Sequence, residues 1–434
     1  SNKPLLKNPY LGTMAFLLIK NIKTLVNTRE KPQVLRGKEL SELPCIDNAF
    51  LLVHDEKIEA YGSMDELPTT LLSLSLNENE ESLPAFDASG RLVLPAWCDS
   101  HTHLVFAASR EGEFIDKIKG LSYAEIAAKG GGILNSANKL NQTPEDELYE
   151  KAVQRLNELI SLGTGAIEIK SGYGLSLEGE LKMLRIIKRL KESSPILVRS
   201  TFLGAHARPV AYRENQEGYI RLIIDEMLPA ISKEGLADYI DVFCENGFFS
   251  VAETERICEA GMKYGLRPKL HVNQLNSIGG VQAGIHLNAL SLDHLETMTR
   301  DDIRDLAQSN CIGTLLPGPA FFLRMPMQPA RELIDAGAAV ALASDFNPGS
   351  CPSGNMNLVV SMACIQMRML PEEAVNAATV NGAYAMGVEE QVGSITKGKL
   401  ANFILTKPVS SLAYLPYAFG QNNVDKLMIR GKWI

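Results

Sequence analysis

The stretch LVLPAWCDSHTHL, from Leu92 to Leu104, is an apolar run of strand length that ends in the pair His101-Thr102-His103. A short apolar run of this kind is typical of a buried β-strand. Residues i and i+2 of a strand point to the same side, so both imidazoles can face one point. The stretch therefore predicts a buried strand with two candidate metal ligands at its carboxyl end.

Further apolar runs follow this strand, and segments with helical periodicity separate them. In one such segment Leu181, Leu184, Ile187 and Leu190 recur every three residues, which favours an amphipathic helix. Alternating strands and helices predict βα units around a parallel sheet. Residues 96–388 are therefore expected to form an α/β fold of the (β/α)₈ TIM barrel type. The eight predicted strands are Ala96–His103, Gly165–Lys170, Ile196–Ala205, Tyr239–Glu245, Lys269–Asn273, Ala289–His294, Ile312–Pro317 and Ala338–Asp345.

Both ends of the chain show a different pattern, with short apolar or alternating runs divided by polar segments. At 434 residues the chain exceeds the usual size of one compact domain. We therefore expect residues 1–95 and 389–434 to form together a small composite β-sandwich domain. Its predicted strands include Phe16–Lys20, Phe50–Val53, Lys57–Tyr61, Asn402–Thr406 and Lys426–Trp433.

Composition and charge exclude several classes of protein. The chain is 45% hydrophobic and 22% charged, with a net charge of −8 and no block rich in Lys or Arg, so a nucleic-acid-binding protein is not expected. No apolar run is long enough to cross a bilayer, and the first residues lack the pattern of a signal peptide. The seven cysteines are scattered and form no C-x-x-C pair. We expect a reduced, cytoplasmic protein without a disulfide framework or zinc ribbon.

The histidines are concentrated where a TIM barrel forms its active site, at the carboxyl ends of the strands. Asp345 ends the eighth predicted strand. Imidazoles with a carboxylate suit zinc or iron, and such a metal lowers the pKa of its bound water and produces a hydroxide nucleophile. The predicted ligands of one metal ion are His101, His103, His271 and Asp345. The alternative is a group of barrel-mouth histidines satisfied by hydrogen bonds. Five of the seven histidines end predicted strands, namely His101, His103, His206, His271 and His294.

Several segments together resemble the imidazolonepropionase family of the amidohydrolase superfamily, over nearly the whole chain. The H-x-H pair and the distant Asp345 are typical of the superfamily, and SGYGL, LGAHA and SDFNPGS are more specific to the family. The resemblance implies a barrel with a small β-sandwich from both chain ends, and a zinc or iron ion. It also implies hydrolysis of 4-imidazolone-5-propanoate to N-formimidoyl-L-glutamate in histidine degradation, by attack of a metal-bound hydroxide on the cyclic amide carbonyl. The other matching segments are LPAWCDSHTHLVFAASREGEF, GLSYAEIAAKGGGI, IEIKSGYGL, FLGAHARP, LHVNQLNSIGG and SLDHLE.

The same resemblance implies which residues contact the substrate and the product. A bidentate arginine suits the propionate of the substrate. Each of these residues also has an ordinary structural interpretation, as a solvated arginine, a packed aromatic, a structural histidine or a Gly/Pro turn. The residues that match substrate-holding positions are Arg110, Tyr173 and His206, and those that match a product-gripping loop are Asn347, Gly349 and Ser350.

Proton transfer is where this chain departs from the expected pattern. Related enzymes often carry H-x-x-E at the fifth strand, whereas this chain reads His271-Val272-Asn273-Gln274. Glutamine can hydrogen-bond the substrate ring, but it cannot act as an acid or base near pH 7. Proton transfer therefore falls to Asp345, His294 or water, and either side chain could instead stabilise the developing oxyanion.

The predicted fourth strand, YIDVFCE, holds no lysine of the kind that bridges two metals in some relatives. We therefore expect a single metal ion, with Lys170 structural and Glu245 a polar residue at the barrel mouth. Two other functions stay open at this point. One is another one-metal amidohydrolase, either a ring-amine deaminase or a cyclic amidase, that acts on a carboxylate-bearing heterocycle. The other is a non-catalytic binding barrel. The expected partners are a small-molecule substrate and, since such barrels are commonly dimers, a second copy of the chain.

Overall fold

The computed structural model describes residues 16–76, 83–121, 125–126, 129 and 131–434. Residues 1–15 and 77–82 of the expected β domain, and residues 122–124, 127–128 and 130 of the matching segment GLSYAEIAAKGGGI, lie outside the described residues.

Strands from both ends of the chain form one mixed sheet, as the sequence predicts for the small domain. The hydrogen-bonded order is β17-β16-β15-β5-β1-β2-β3, and β4 pairs with β1. The prediction of one strand over Lys426–Trp433 is wrong, because the chain reverses at Arg430-Gly431, where both residues have positive φ (49° and 71°). The strands are β1 Phe16–Val26, β2 Cys45–His54, β3 Lys57–Ser63, β4 Ala85–Asp87, β5 Leu92–Pro95, β15 Phe403–Thr406, β16 Val424–Ile429 and β17 Lys432–Trp433.

Successive strand residues point to opposite sides of this sheet, and apolar residues on each side pack into a buried cluster. Ile19 and Leu51 pack with Phe403 in one buried cluster. Leu18 and Phe50 pack in another, which includes residues of the helix Leu67–Ser73.

A second sheet of parallel strands forms the barrel, and all eight predicted strands are confirmed. Its order is β14-β13-β12-β11-β9-β8-β7-β6, and a short strand, β10 (Arg267–Pro268), pairs with β9. The barrel strands are β6 Trp97–Thr102, β7 Thr164–Lys170, β8 Leu197–Ala205, β9 Tyr239–Cys244, β11 Leu270–Val272, β12 Ser291–His294, β13 Ile312–Leu315 and β14 Ala339–Leu342.

The barrel closes through the segment that follows β14. Asp345 donates its backbone N–H to the His101 carbonyl over 2.9 Å, and His103 donates to the Phe346 carbonyl over 2.8 Å. Thr102 and Phe346 form a parallel bridge between these two bonds. Closure therefore places Asp345 directly beside the H-x-H pair.

Helices follow or connect the strands. The long segment after β6 includes Glu111–Ile118 and Ile133–Gln142. Pro317, which the sequence placed at the end of a strand, begins the helix Pro317–Leu323, since proline fits the first helical position. The other helices are Glu145–Ser161, Leu177–Ser193, Gln216–Arg221, Leu228–Glu234, Val251–Met262, Gly280–His286, Arg300–Gln308, Ala330–Asp335, Met356–Met367, Pro371–Ala378, Val380–Ala385 and Tyr414–Tyr417. Among the described helices, none combines the length and apolar character that a membrane crossing requires.

Candidate active site and metal centre

Five histidines from four strands converge at the carboxyl end of the barrel, where the sequence places them. The ring centroids of His101 and His271 lie 4.5 Å apart, and those of His271 and His294 lie 5.0 Å apart. His103 lies 5.2 Å from His101 and also stacks on His206 at 5.2 Å. The site is buried and rich in nitrogen donors.

Asp345 completes this cluster. Its Oδ1 lies 3.3 Å from Nε2 of both His101 and His103. Although these atoms are close, His101 Nε2 and Asp345 Oδ1 are buried without a hydrogen-bond partner of acceptable geometry among the described residues. Buried polar atoms in this condition cost about 1–3 kcal/mol each. A cation between them would remove that cost.

Two sets of three residues that share His101 could each hold a metal ion, because within each set the ligand atoms lie within 4.8 Å of one another. One set is His101, His103 and Asp345, and the other is His101, His271 and His294. Three of the four predicted ligands, His101, His103 and Asp345, form one set, and the fourth, His271, shares His101 with it through the other set. Imidazole nitrogens with one carboxylate suit zinc or iron, so the donor set fits the implied metal.

The backbone is strained at this site. Asp345 (φ 53°), His294 (φ 90°) and Leu295 (φ 65°) all adopt the left-handed region, which costs about 1 kcal/mol or more for a residue other than glycine. Because the surrounding fold holds these residues in this conformation, the side chains of Asp345 and His294 are directed toward the other histidines.

Two buried aspartates that the sequence reasoning missed orient the histidines. Asp293 Oδ2 lies 2.6 Å from His101 Nδ1, and Asp241 Oδ2 lies 2.8 Å from His271 Nδ1. An ionised carboxylate only accepts, so each Nδ1 carries the proton and each Nε2 is free to bind a metal. Burial opposes ionisation of Asp293, but the bond from His101 and the charge of Lys170 hold its pKa below the usual range. An aspartate inside an apolar barrel strand was the available signal.

His206 and Tyr173 form the next part of the cavity wall. His206 Nδ1 lies 3.0 Å from the Gly172 carbonyl, which can only accept, so Nδ1 is protonated and Nε2 is an acceptor. Burial and the neighbouring His103 lower the pKa of His206 to about 3, so the ring is neutral near pH 7. Burial raises the pKa of Tyr173, which therefore keeps its phenolic proton.

A buried carboxylate holds the loop that carries Tyr173. Glu180 Oε1 accepts from the backbone N–H groups of Gly174 (2.8 Å) and Leu175 (3.0 Å). Both carboxylate oxygens lie 3.2 Å from the Gly172 nitrogen. Gly172 has φ 110°, and a Cβ there would lie 2.8 Å from His206 Nδ1. The loop therefore requires both Glu180 and this glycine.

Gln274 lines the cavity, as the sequence predicts for its position. Glu245 is buried beneath this loop and accepts from the backbone nitrogens of Leu275 (2.9 Å) and Asn276 (3.2 Å). It also accepts from the Asn276 side chain over 2.9 Å. Glu245 is thus engaged in holding the loop and is not aimed at the metal ligands.

Arg110 also lines the cavity, and Glu113 partly neutralises it. Both Nε (2.9 Å) and Nη2 (2.6 Å) donate to Glu113 Oε2, whereas Nη1 lies against Gly349. Lys117 also faces this region, with Nζ 3.3 Å from the Gly349 carbonyl. Lys117 was not predicted from the sequence, and it is a second cation that lines the cavity.

The loop after β14 is held by its own asparagine. Asn347 Oδ1 accepts from the backbone nitrogens of Gly349 and Ser350, both over 2.8 Å. Its Nδ2 donates to the Asp345 carbonyl over 2.7 Å. The loop is preformed, so its predicted grip on a product requires some of these bonds to be exchanged.

These residues enclose one cavity of about 580 Å³, which both the histidine cluster and the two cations line. The cavity lining includes every predicted substrate- or product-contacting residue. Its wall consists of His103, Arg110, Lys117, Ile126, Ile133, Tyr173, His206, Phe243, Phe248, His271, Gln274, Leu275, His294, Leu323, Asp345, Asn347, Gly349 and Ser350.

Residues 92–434 match the model of the amidohydrolase family. The chain is 57% identical over 418 residues to an imidazolonepropionase of Flavobacterium johnsoniae, with 96% of this chain and 99% of the relative covered. It is 54% identical to that of Christiangramia forsetii, with 96% and 100% covered. The chain belongs to the imidazolonepropionases of the amidohydrolase family.

Solved structures of distant sequence share the fold. Guanine deaminase of E. coli superposes with a TM-score of 0.72 at 11% identity, over 97% of this chain and 99% of that one. A triazine hydrolase variant gives a TM-score of 0.70 at 16% identity, over 96% and 94%. At these identities the likeness shows the family's fold and not a substrate.

Proposed function

We propose that this imidazolonepropionase-family chain opens the ring of 4-imidazolone-5-propanoate with water and yields N-formimidoyl-L-glutamate, a step of histidine degradation. One observation carries the proposal beyond family membership. The His/Asp cluster and the two cations Arg110 and Lys117 line one and the same cavity. That arrangement suits a small substrate with a hydrolysable ring at one end and a carboxylate at the other.

The metal would be held by His101, His103, His271 and Asp345, as a single zinc or iron ion. When bound, it would acidify a water molecule and polarise the ring carbonyl. One ion is proposed because β9, the fourth barrel strand, contains no lysine that could bridge two metals.

Three side chains are assigned to substrate orientation. Arg110 binds the propionate through Nη1, the nitrogen that Glu113 leaves unused. Tyr173 donates a hydrogen bond to the substrate through its phenolic O–H. Neutral His206, with Nε2 as an acceptor, receives a ring N–H. Asn347, Gly349 and Ser350 contact the product after ring opening.

Asp345 and His294 are assigned to proton transfer, because Gln274 cannot carry a proton. Asp345 Oδ2 lies 4.0 Å from His294 Nε2, and His294 Nδ1 lies 3.2 Å from Glu296 Oε1. Asp345 accepts one proton of the attacking water, and this proton passes through His294 to the departing ring nitrogen. The other water proton stays on the new carboxyl group and then dissociates. The carbonyl carbon gains the water oxygen as its bond to that nitrogen breaks. Gln274 acts as a hydrogen-bonding contact to the ring.

The experiment supplies purified protein of known metal content with 4-imidazolone-5-propanoate and with the 5-methyl analogue that lacks the carboxylate. We expect N-formimidoyl-L-glutamate from the acid and a much lower kcat/KM for the analogue. Absence of turnover at full metal occupancy would refute the proposal. Ammonia release from a ring amine under the same conditions would instead favour a deaminase.

We also propose that the chain acts as a cytoplasmic homodimer. All seven cysteines are free, which suits a reducing compartment. Tyr417 and Phe419 are 78% and 67% exposed, and large exposed apolar side chains of this kind often lie in protein interfaces. Sedimentation velocity should give twice the chain mass, and a monomer at micromolar concentration would contradict the dimer.

A further inference from the structure

The interior of this barrel contains charges where most TIM barrels are filled by branched apolar side chains. Five charged residues lie below the histidines, and each is at most 1% exposed. We call them the axial charge cluster: Glu168, Lys170, Asp241, Lys269 and Asp293. Burial of so many charges is costly unless each is paired, so their arrangement needs a physical reason.

Lys170 lies at the centre of this cluster. Its Nζ is 2.8 Å from Glu168 Oε1, 2.9 Å from Asp241 Oδ2 and 3.7 Å from Asp293 Oδ2. An ammonium group has three protons to donate, and here three carboxylates surround it. Lys170 therefore has no lone pair or free direction with which to bind a metal.

Two of the three carboxylate atoms that meet Lys170 also meet a histidine. Asp241 Oδ2 contacts both Lys170 Nζ and His271 Nδ1, and Asp241 Oδ1 also accepts from the His271 backbone over 3.0 Å. Asp293 Oδ2 contacts both Lys170 Nζ and His101 Nδ1. One lysine thus joins two ligand histidines from β6 and β11, which are not neighbours in the sheet.

We propose that Lys170 is a positioning residue for the metal centre. It fixes the two aspartate carboxylates, and through them it fixes the rotation of His101 and His271 with both Nε2 atoms toward the ion. The sequence suggested only a structural lysine at this position. The inference concerns the metal and does not depend on which substrate the enzyme opens.

Lys269 provides a matched control within the same cluster. It is equally buried and pairs with Glu168 Oε2. Its other partners are the backbone carbonyls of Ser100 (3.3 Å) and Ala385 (2.5 Å) and the Tyr239 ring. Within the described chain no hydrogen bond or ion pair joins it to Asp241 or Asp293, although its charge helps to lower the pKa of Asp293. Removal of either lysine charge therefore disturbs the buried cluster, but only removal of Lys170 releases the histidine partners.

The test compares Lys170→Met with Lys269→Met. Zinc affinity is measured by competition with a chromogenic chelator, on protein whose circular dichroism confirms folding. Loss of a partner behind a metal-binding histidine commonly weakens binding about 10–100-fold, and we expect a loss in that range for Lys170→Met. For Lys269→Met we expect a change of less than about threefold.

Equal losses in both variants would overturn the proposal, because they would show a general effect of lost buried charge. Unchanged zinc affinity in Lys170→Met would also overturn it. If Lys170→Met does not fold, Lys170→Gln retains donors toward the aspartates and is measured instead. Its expected affinity is weaker than that of the wild type, and an affinity equal to the wild type would contradict a requirement for the ammonium group.

Discussion

Replacement of Glu180 tests how the cavity wall is built. Glu180 is fully buried and accepts from the backbone nitrogens of Gly172, Gly174 and Leu175 at 2.8–3.2 Å. Glu180→Leu removes the acceptor of all three donors. Each buried donor left unsatisfied costs about 1–3 kcal/mol, so we expect the free energy of unfolding to fall by about 3 kcal/mol or more. That is a large share of the about 5–15 kcal/mol typical of native proteins.

Glu180→Gln should have a smaller effect. Its amide oxygen can still accept from Gly174 and Leu175, whereas its NH₂ group faces the Gly172 nitrogen. We therefore expect a loss of about 1–2 kcal/mol. Because the same loop carries Tyr173, KM should rise in both variants, and it should rise more in Glu180→Leu.

The assay combines urea unfolding with steady-state kinetics of ring opening. Glu178→Gln is the matched control, because Glu178 is exposed in the first turn of the same helix. It should leave both measurements close to the wild-type values. Wild-type unfolding and KM in Glu180→Leu would refute the conclusion that this carboxylate holds the loop.

Three further substitutions test the cavity, each by steady-state kinetics. Arg110→Met removes a charge-assisted bond worth about 1.5–3 kcal/mol, so kcat/KM for the propanoate substrate should fall about 10–150-fold. For the analogue that lacks the carboxylate, kcat/KM should change little. Equal losses of kcat/KM for both substrates would contradict propionate binding. Gly349→Ala places a Cβ against Arg110 Nη1 and should raise KM, whereas Gly112→Ala, where a Cβ meets nothing within 4 Å, should not, and equal KM values would count against the close approach. Gln274→Glu should keep or raise kcat if only a proton carrier is absent, and a large rise in KM would show instead that the amide is a required contact.

The barrel could be predicted from the sequence because its strands are apolar runs of regular length, and periodicity identifies such runs. The H-x-H pair identified the active-site end, since strand geometry alone places both imidazoles on one side. The position of Asp345 beside them depends on closure of the barrel through hydrogen bonds from residues 101–103 to 345–346. Without the resemblance, its place at the end of the last predicted strand was the only indication of that contact.

The residues that support the site were harder to predict. Asp241 and Asp293 are far in sequence from the histidines they hold. Glu180 is close in sequence to the backbone groups it holds, but an isolated buried acid has no local pattern. Lys170 was visible but was expected to be structural, because its two aspartate partners come from other strands.

The most direct test of a single catalytic metal ion is a metal titration of the activity. Metal-free protein is reloaded with zinc or iron in measured steps, and the formation of N-formimidoyl-L-glutamate from 4-imidazolone-5-propanoate is followed at each step. Activity should rise in proportion to bound metal and reach its plateau at one ion per chain. Product formation by metal-free protein, or a plateau only at two ions per chain, would contradict that expectation.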